Sequence, residues 1–266
     1  MSDRELLQIA IKSAIRGAAE ILEVYSEDFE VEFKDDKSPL TLADQRSHTA
    51  IMNGLSGTGY PVLSEEGREI SFETRKDWVR FWLVDPLDGT KEFVKRNGEF
   101  TVNIALIENG IPLIGVILVP VTGRLYYAAK GEGAFVTALQ TLDENEIPGT
   151  EKIPLPLPAN DSGKSYRVVC SRSHLSPETA EYIENLRPLH PDLEFVSVGS
   201  SLKLCLIAEG RADLYPRFGP TMEWDTAAGH AIVEVSGGYV RESRSDLPLL
   251  YNKENLLNPW FIAGRK

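Results

Sequence analysis

The sequence predicts a fold of the mixed α+β or α/β class, and three regions of the chain indicate it. Residues 3–24 carry apolar side chains at helical spacing. Residues 101–129 contain apolar runs separated by turn residues, which is typical of an antiparallel sheet. From residue 166 onwards, short apolar strands alternate with helical patterns, as they do in an α/β layer.

The N-terminal segment is predicted to form two helices. Ser2 and Glu5 can form a capping box at the start of the first helix, residues 3–24. The second helix covers residues 41–55 and ends at a glycine-rich turn. Between the two helices, the charged residues 34–39 predict a loop.

A run of strands follows these helices. An Asn-Gly pair at residues 109–110 separates two apolar runs, which is a strong signal of a two-residue hairpin. Because further turn residues precede the next apolar run, we expect an antiparallel meander. The strands predicted in this part of the chain cover residues 60–64, 79–85, 101–108, 111–120 and 125–129.

The polar, proline-rich residues 138–165 predict an irregular connection. We therefore divide the chain into an N-terminal α+β half, residues 1–160, and a C-terminal α/β half, residues 161–266. The second half is predicted to contain strands at 166–170, 194–198, 212–215 and 260–263 and helices at 177–186, 201–209 and 224–235.

Composition excludes several classes of function. With 28 basic against 40 acidic residues, the net charge of −12 makes the protein a poor binder of nucleic-acid polymers. No apolar run approaches the roughly 18 residues of a membrane span, and the first residues lack the layout of a secretory signal. Cys170 and Cys205 are too few for a disulfide framework and predict reduced core residues in a cytoplasmic protein.

The most informative motif is DPLDGT, residues 85–90, which follows the apolar run 79–84. Two carboxylates and a hydroxyl therefore appear where a buried strand leaves the core. Asp85 and Asp88 would repel each other unless a cation lay between them. The Leu87 carbonyl could add a third oxygen ligand for a hard divalent ion.

Two more acidic positions strengthen this interpretation. Glu65 and Glu66 follow a short apolar run, and Asp225 opens a helical stretch. Taken singly, each has an ordinary explanation, since adjacent acids are usually a solvated pair and Asp225 could simply cap its helix. Three acidic strand ends or helix starts in one chain favour a metal cluster instead.

Taken together, these motifs resemble the lithium-sensitive, magnesium-dependent phosphatases of the inositol monophosphatase and fructose-1,6-bisphosphatase superfamily. The resemblance rests on the acidic pair at 65–66, DPLDGT at 85–90, and WD at 224–225 followed by GG at 237–238, and runs from residue 37 to 238. KEFVKRNGEFTVN at 91–103, GSSLK at 199–203 and YPRFGPTMEWD at 215–225 are similar to its bacterial 3'(2'),5'-bisphosphate nucleotidase branch.

The resemblance implies a layered α-β-α-β-α sandwich with the active site between its two halves. It also implies two Mg²⁺ ions, with room for a third, and inhibition by lithium. One ion would be held by Glu65, Asp85 and the Leu87 carbonyl, and the other by Asp85, Asp88 and Asp225.

The same resemblance implies the catalytic pair and the substrate. Thr90 would orient the attacking water and pass its own proton toward Asp44. The expected substrate is adenosine 3',5'-bisphosphate, a small molecule cleaved to AMP and phosphate, with 3'-phosphoadenosine 5'-phosphosulfate as a second candidate. The implied substrate-binding residues are Glu65, Leu87, Asp88, Gly89, Thr90, His174, Ser200, Lys203, Arg217 and Asp225.

Three alternatives stay open from the sequence. An inositol or sugar phosphatase of the same fold would need no second phosphate pocket. A phosphatase with an aspartyl nucleophile carries a similar motif, but its acids are separated by one residue rather than two. A non-catalytic nucleotide-binding protein would lack the pair Asp44 and Thr90. The chain is expected in the cytoplasm or peripherally at the inner membrane, as a monomer or dimer.

Overall fold

The structure of the protein, a computed structural model, describes residues 1–26, 31–33, 39–145, 152–156, 165–170 and 176–265, with side chains everywhere except at 31–33 and 39–41. The predicted loop at 34–39 and His174 therefore lie largely or wholly outside the described residues. Within the described ranges, no helix has the length and apolar character that crossing a membrane requires.

The helices are α1 (Asp3–Tyr25), α2 (Leu42–Leu55), α3 (Phe72–Arg75), α4 (Thr90–Val94), α5 (Pro177–Glu184), α6 (Leu202–Glu209) and α7 (Glu223–Val235), with a 3₁₀ turn at Ser56–Thr58. The strands are β1 (Val31–Phe33), β2 (Pro39–Thr41), β3 (Val62–Ser64), β4 (Arg80–Asp88), β5 (Thr101–Glu108), β6 (Ile111–Val119), β7 (Arg124–Ala129), β8 (Gly133–Ala138), β9 (Ile153–Pro154), β10 (Arg167–Cys170), β11 (Glu194–Ser197), β12 (Leu214–Arg217), β13 (Gly238–Glu242) and β14 (Phe261–Arg265). Strands β1 and β2 form a separate antiparallel pair.

The larger sheet has seven strands in the order β3-β4-β5-β6-β7-β8-β9. Strand β3 pairs with β4 in parallel, and the other neighbours are antiparallel, which confirms the predicted meander. Asn109 and Gly110 turn the chain between β5 and β6 with φ of 52° and 75°, as a type I′ hairpin turn requires.

Both faces of this sheet are covered, because side chains along a strand alternate between them. In β4, Trp82 and Val84 face a core formed with α1 and α2. Phe81 and Leu83 face the opposite core, which includes residues of α6 and α7. Helix α1 begins with the predicted capping box, in which Glu5 N donates to Ser2 Oγ and Ser2 N donates to Glu5.

The smaller sheet has five strands in the order β11-β10-β12-β14-β13. Strand β10 runs parallel to its neighbours β11 and β12. Strand β14 runs antiparallel to its neighbours β12 and β13. Val240 and Phe261 from this sheet pack in the same core as α6 and α7, while Val168 and Leu214 pack with Ile183 of α5 on the other side. The five layers are therefore α-β-α-β-α, which confirms the expected sandwich.

The two halves meet at the middle helical layer. Helix α7, from the C-terminal half, contacts strands β4 to β8 of the larger sheet as well as β13 of the smaller one. The sheets themselves separate in sequence, since β9 ends at Pro154 and β10 begins at Arg167. A division near residue 160 stays a prediction.

Gly115 of β6 permits the close approach of α7. A Cβ at this position would lie 2.2 Å from the carbonyl oxygen of Ala228 and 2.8 Å from the Cβ of Ala231. Because one of these contacts is backbone, no rotation of a side chain can relieve it. The glycine therefore sets how near the middle layer comes to the larger sheet.

We predict that Gly115→Ala lowers the free energy of unfolding by roughly 1–3 kcal/mol through overpacking. Urea denaturation of the purified protein measures this. The control is Gly57→Ala, since a Cβ at Gly57 meets no atom within 4 Å and its stability should change by less than about 1 kcal/mol. Equal stability of the two variants would contradict the close approach of α7.

Candidate active site

The DPLDGT segment lies at the end of β4, where pairing with β5 shifts register between Asp85 and Asp88. Asp85 is only 1% exposed, and its Oδ1 accepts a hydrogen bond of 3.1 Å from Leu87 N. Gly89 then turns the chain with φ of 95° into the short helix α4, which begins at Thr90. The irregular end of β4 thus presents Asp85, Asp88 and Thr90 where the strand leaves the larger sheet.

Tertiary structure brings the other predicted acids to this edge. Glu65 follows β3, and its amide donates to Val84 O of the neighbouring strand at 3.1 Å. Asp225 lies in the first turn of α7, where its Oδ2 accepts from Met222 N at 2.9 Å. Asp44 lies in the first turn of α2 and is 2% exposed.

The pKa values of Asp85 and Asp225 reflect the acidic side chains around them. The pKa of Asp85 lies well above its usual value, and burial of the carboxyl group is the largest cause. Four further carboxylates raise this pKa: those of Glu65, Asp88, Asp225 and Asp44. The pKa of Asp225 is also raised, first by burial and then by Asp88, against the hydrogen bond from Met222. The site is therefore a buried acidic cluster that a cation would stabilise.

The donor chemistry fits a hard divalent cation. Carboxylate and carbonyl oxygens are the ligands that Mg²⁺ prefers. Over the described ranges, no group of three or more His, Cys, Asp or Glu side chains has the geometry of a metal site, so the fit rests on the types of donor atom.

Ser201 ties Asp88 to the C-terminal half, and sequence reasoning missed it. Ser201 N donates to Asp88 Oδ2 at 2.6 Å, and its hydroxyl lies 2.8 Å from the same oxygen. The hydroxyl also lies 2.7 Å from Asp225 O and accepts from Asn103 Nδ2 at 2.9 Å. Asn103 lies in the motif at 91–103 and Ser201 in the motif at 199–203. Only the folded structure shows that their side chains are hydrogen-bonded to each other.

Helix α2 is held against the acidic turn by Ser47. Its hydroxyl donates to Pro86 O at 2.9 Å, and both residues are buried. Asp44, one turn earlier on the same helix, is therefore directed toward the turn that carries Asp85 and Thr90. This agrees with the effect of Asp44 on the pKa of Asp85.

A cavity of about 160 Å³ opens beside the acids, between α4, α6 and β12. Three basic side chains line it, Lys91, Lys203 and Arg217, and the last two also bond to backbone carbonyls. Lys203 Nζ donates to Ser200 O at 2.7 Å, and burial lowers its pKa. Arg217 Nη2 donates to Pro220 O at 3.0 Å, whereas its buried Nε has no hydrogen-bond partner among the described residues.

Ser200 lies at the mouth of this cavity in a left-handed conformation, with φ of 42°. The carbonyl bond from Lys203 supports that conformation, since a non-glycine residue adopts it at some cost. Of the substrate-binding residues predicted in the C-terminal half, Ser200, Lys203 and Arg217 thus meet at one cavity with Asp88, Gly89 and Asp225. His174 falls outside the described residues.

Comparison with known proteins identifies the family. The family model described as "Inositol monophosphatase family" matches residues 2–260. The CysQ 3'(2'),5'-bisphosphate nucleotidase of Escherichia coli K12 is 46% identical over 246 residues, covering 91% of this chain and 92% of that protein. The protein of the same name from Salmonella typhimurium is 44% identical over 260 residues, covering 96% and 98%.

Solved structures agree with this assignment. The crystal structure of CysQ from Bacteroides thetaiotaomicron has a TM-score of 0.89 and 48% identity, and covers 98% of this chain and 97% of that one. The extragenic suppressor protein SuhB from Bartonella henselae gives a TM-score of 0.76 at 25% identity, with 98% and 94% covered. The chain therefore belongs to the inositol monophosphatase family and falls among its CysQ members.

Proposed function

We propose that the protein is a Mg²⁺-dependent 3'(2'),5'-bisphosphate nucleotidase. It removes the 3'-phosphate of adenosine 3',5'-bisphosphate and releases AMP and phosphate. The observation that carries the proposal is the acidic cluster around Asp85 beside a cavity whose lining includes Lys203 and Arg217. The names of its CysQ relatives support the same substrate class. The 5'-phosphosulfate analogue is a second substrate of this proposal.

The acidic cluster holds the metal in this proposal. Glu65, Asp85 and the Leu87 carbonyl would hold one Mg²⁺, and Asp85, Asp88 and Asp225 would hold a second, with a third ion as a weaker occupant. When bound, the ions lower the pKa of water and neutralise the charge that develops on the leaving oxygen. The raised pKa values of Asp85 and Asp225 support this role, because a carboxylate cluster without a cation is unfavourable.

Thr90 and Asp44 orient the attacking water. The Thr90 hydroxyl would accept a hydrogen bond from that water and donate one to the buried carboxylate of Asp44. Positioned acid–base groups of this kind contribute roughly 10²–10⁴ in rate. Gly89 and Thr90 add backbone amides directed at the phosphate being cleaved, since they begin α4.

The remaining 5'-phosphate binds in the cationic cavity. Arg217 offers its planar fork, and its buried Nε gains the partner that it lacks within the described chain. A buried donor left unsatisfied costs about 1–3 kcal/mol, which ligand binding would recover. Lys203 adds a second positive charge, and Ser200 adds a hydroxyl at the mouth of the cavity. We also assign His174 to the adenosine.

A panel of phosphate esters tests the proposed substrate. We expect Mg²⁺-dependent phosphate release from adenosine 3',5'-bisphosphate with a kcat/KM at least about tenfold above that for inositol 1-phosphate or fructose 1,6-bisphosphate. Inositol 1-phosphate has no second phosphate to meet Lys203 and Arg217, and fructose 1,6-bisphosphate has no adenosine. The measurement is initial-rate phosphate release with and without Mg²⁺. A preference for either of the other two esters would overturn the substrate assignment.

We predict that Asp88→Asn lowers kcat/KM for Mg²⁺-dependent turnover by about 10²–10³. The reason is the loss of several kcal/mol of transition-state stabilisation by the metal. The fold should persist, because an asparagine oxygen can still accept from Ser201 N. Asp143→Asn is the control, since Asp143 is an exposed acceptor for Asn145 N. Phosphate release and thermal unfolding are measured on both variants. Wild-type turnover by the Asp88 variant would exclude it as a metal ligand.

We predict that Arg217→Ala lowers kcat/KM for adenosine 3',5'-bisphosphate by roughly 10–100-fold, as expected for a lost charged hydrogen bond of about 1.5–3 kcal/mol. Turnover of p-nitrophenyl phosphate should fall less than about threefold, because this ester has no second phosphate. The matched control is Arg187→Ala, which removes an exposed arginine paired with Glu184. Equal losses on the two substrates would remove Arg217 from 5'-phosphate binding.

A further inference from the structure

Residues 250–258, called here the clamp loop, lie between β13 and β14 in the chain. They contact both halves of the molecule. Arg75 of α3, which is 2% exposed, donates to Asn252 Oδ1 at 2.8 Å and to Lys253 O at 2.7 Å. From the other side, the fully buried Glu223 of α7 accepts from the amides of Asn252 at 2.7 Å and Lys253 at 3.0 Å. A buried cation and a buried anion therefore hold the same short segment.

The clamp loop ends at Asn258, whose side chain is directed into the start of α7. Asn258 is 5% exposed. Its Nδ2 donates to Met222 O at 2.7 Å and to Thr226 Oγ1 at 3.0 Å, and its backbone amide donates to Thr221 O at 2.8 Å. Lys253 Nζ lies 3.4 Å from Asn258 Oδ1 and 2.6 Å from Glu223 Oε1. The carboxamide is thus fixed at both of its ends.

Met222 transmits this restraint to the acidic cluster. Its amide donates to Asp225 Oδ2 at 2.9 Å, and its carbonyl accepts from Asp225 N at 3.2 Å as well as from Asn258. The residue that Asn258 holds is therefore the one that sets the rotation of the Asp225 carboxylate. An antiparallel bridge between Met222 and Leu257 holds the same segment, with Glu223 N donating to Leu256 O at 2.9 Å, and the Asn258 side chain adds a bond to the Met222 carbonyl itself.

We propose that Asn258 is a positioning residue for Asp225, and that the clamp loop thereby sets the metal affinity of the site without touching metal or substrate. The side-chain N–H groups of Asn258 hold Met222, and Met222 N in turn holds the Asp225 carboxylate. The inference rests on the proposed function, because it takes Asp225 to be a metal ligand. Residues that orient metal ligands typically alter affinity by 10–100-fold when removed.

The chemistry of the position favours asparagine. Its buried amide must donate to a carbonyl and a hydroxyl while its oxygen lies near the ammonium of Lys253. An aspartate of the same size would direct oxygen at the Met222 carbonyl, and an alanine would leave that carbonyl without its side-chain donor. Asn255, in the same loop but exposed, accepts from Leu257 N at 2.9 Å, and its side chain makes no direct hydrogen bond to α7 within the described part of the chain.

The test uses Asn258→Ala with Asn255→Ala as its matched control. We expect the Mg²⁺ concentration for half-maximal phosphate release to rise about 10–100-fold in the Asn258 variant, with KM at saturating Mg²⁺ changed by less than about threefold. Mn²⁺ titration of the metal-free protein, followed by electron paramagnetic resonance, should show the same loss of affinity without any turnover. The control variant should match the wild type in both.

A double-mutant cycle separates positioning from general damage. If Asn258 acts through Asp225, then Asn258→Ala should change Mn²⁺ affinity by less than about twofold in an Asp225→Asn background. A full loss in that background, or wild-type metal affinity of Asn258→Ala alone, would overturn the positioning role. Unchanged Mn²⁺ binding by Asp225→Asn alone would instead refute the metal-ligand assignment. If Asn258→Ala does not fold, the milder Asn258→Ser carries the same measurements.

Discussion

Repulsion among buried carboxylates is the constraint on which this structure depends. Asp85 is buried at the end of β4 with four acidic side chains near enough to raise its pKa. In a protein of net charge −12, no general positive field offsets this cluster. The fold therefore concentrates negative charge at a place where bound divalent cations would relieve the repulsion and favour the approach of an anionic substrate.

The site is assembled from both halves by hydrogen bonds that cross between them. Ser201 holds Asp88, and Gly199 N donates to Glu99 Oε2 at 2.8 Å, so the segment before α6 is bonded to the segment after β4. Position 199 requires glycine, because a Cβ there would lie 2.8 Å from both Glu92 Cγ and Glu99 O. The close approach that brings Lys203 and Arg217 near the acids needs that space.

A second set of polar contacts joins the clamp loop to α3 and to the start of α7. Arg75 and Glu223 are almost fully buried charges that hold the clamp loop through backbone groups. Buried charges are stable only when hydrogen-bonded, and here their partners are largely peptide groups of one segment. This arrangement favours a single geometry for the start of α7, which Asp225 would need as the metal ligand proposed above.

Much of this molecule could be predicted from its sequence. The capping box of Ser2 and Glu5, the hairpin at Asn109 and Gly110, the meander of β5, β6 and β7 and the acids at strand ends all depend on residues close together in the chain, and local propensity determines them. Strands β8, β9 and β13 were not predicted, because short segments such as Gly238–Glu242 become strands mainly through their partners.

The sequence by itself therefore determined the fold class, the family resemblance and the acidic residues, since each is encoded in a short motif. Only the tertiary structure decided which residues support those acids. Ser201 and Asp88 are 113 positions apart, and Asn258 reaches Met222 across 36. No local pattern encodes such pairs, because they exist only after two sheets and the helices between them have packed.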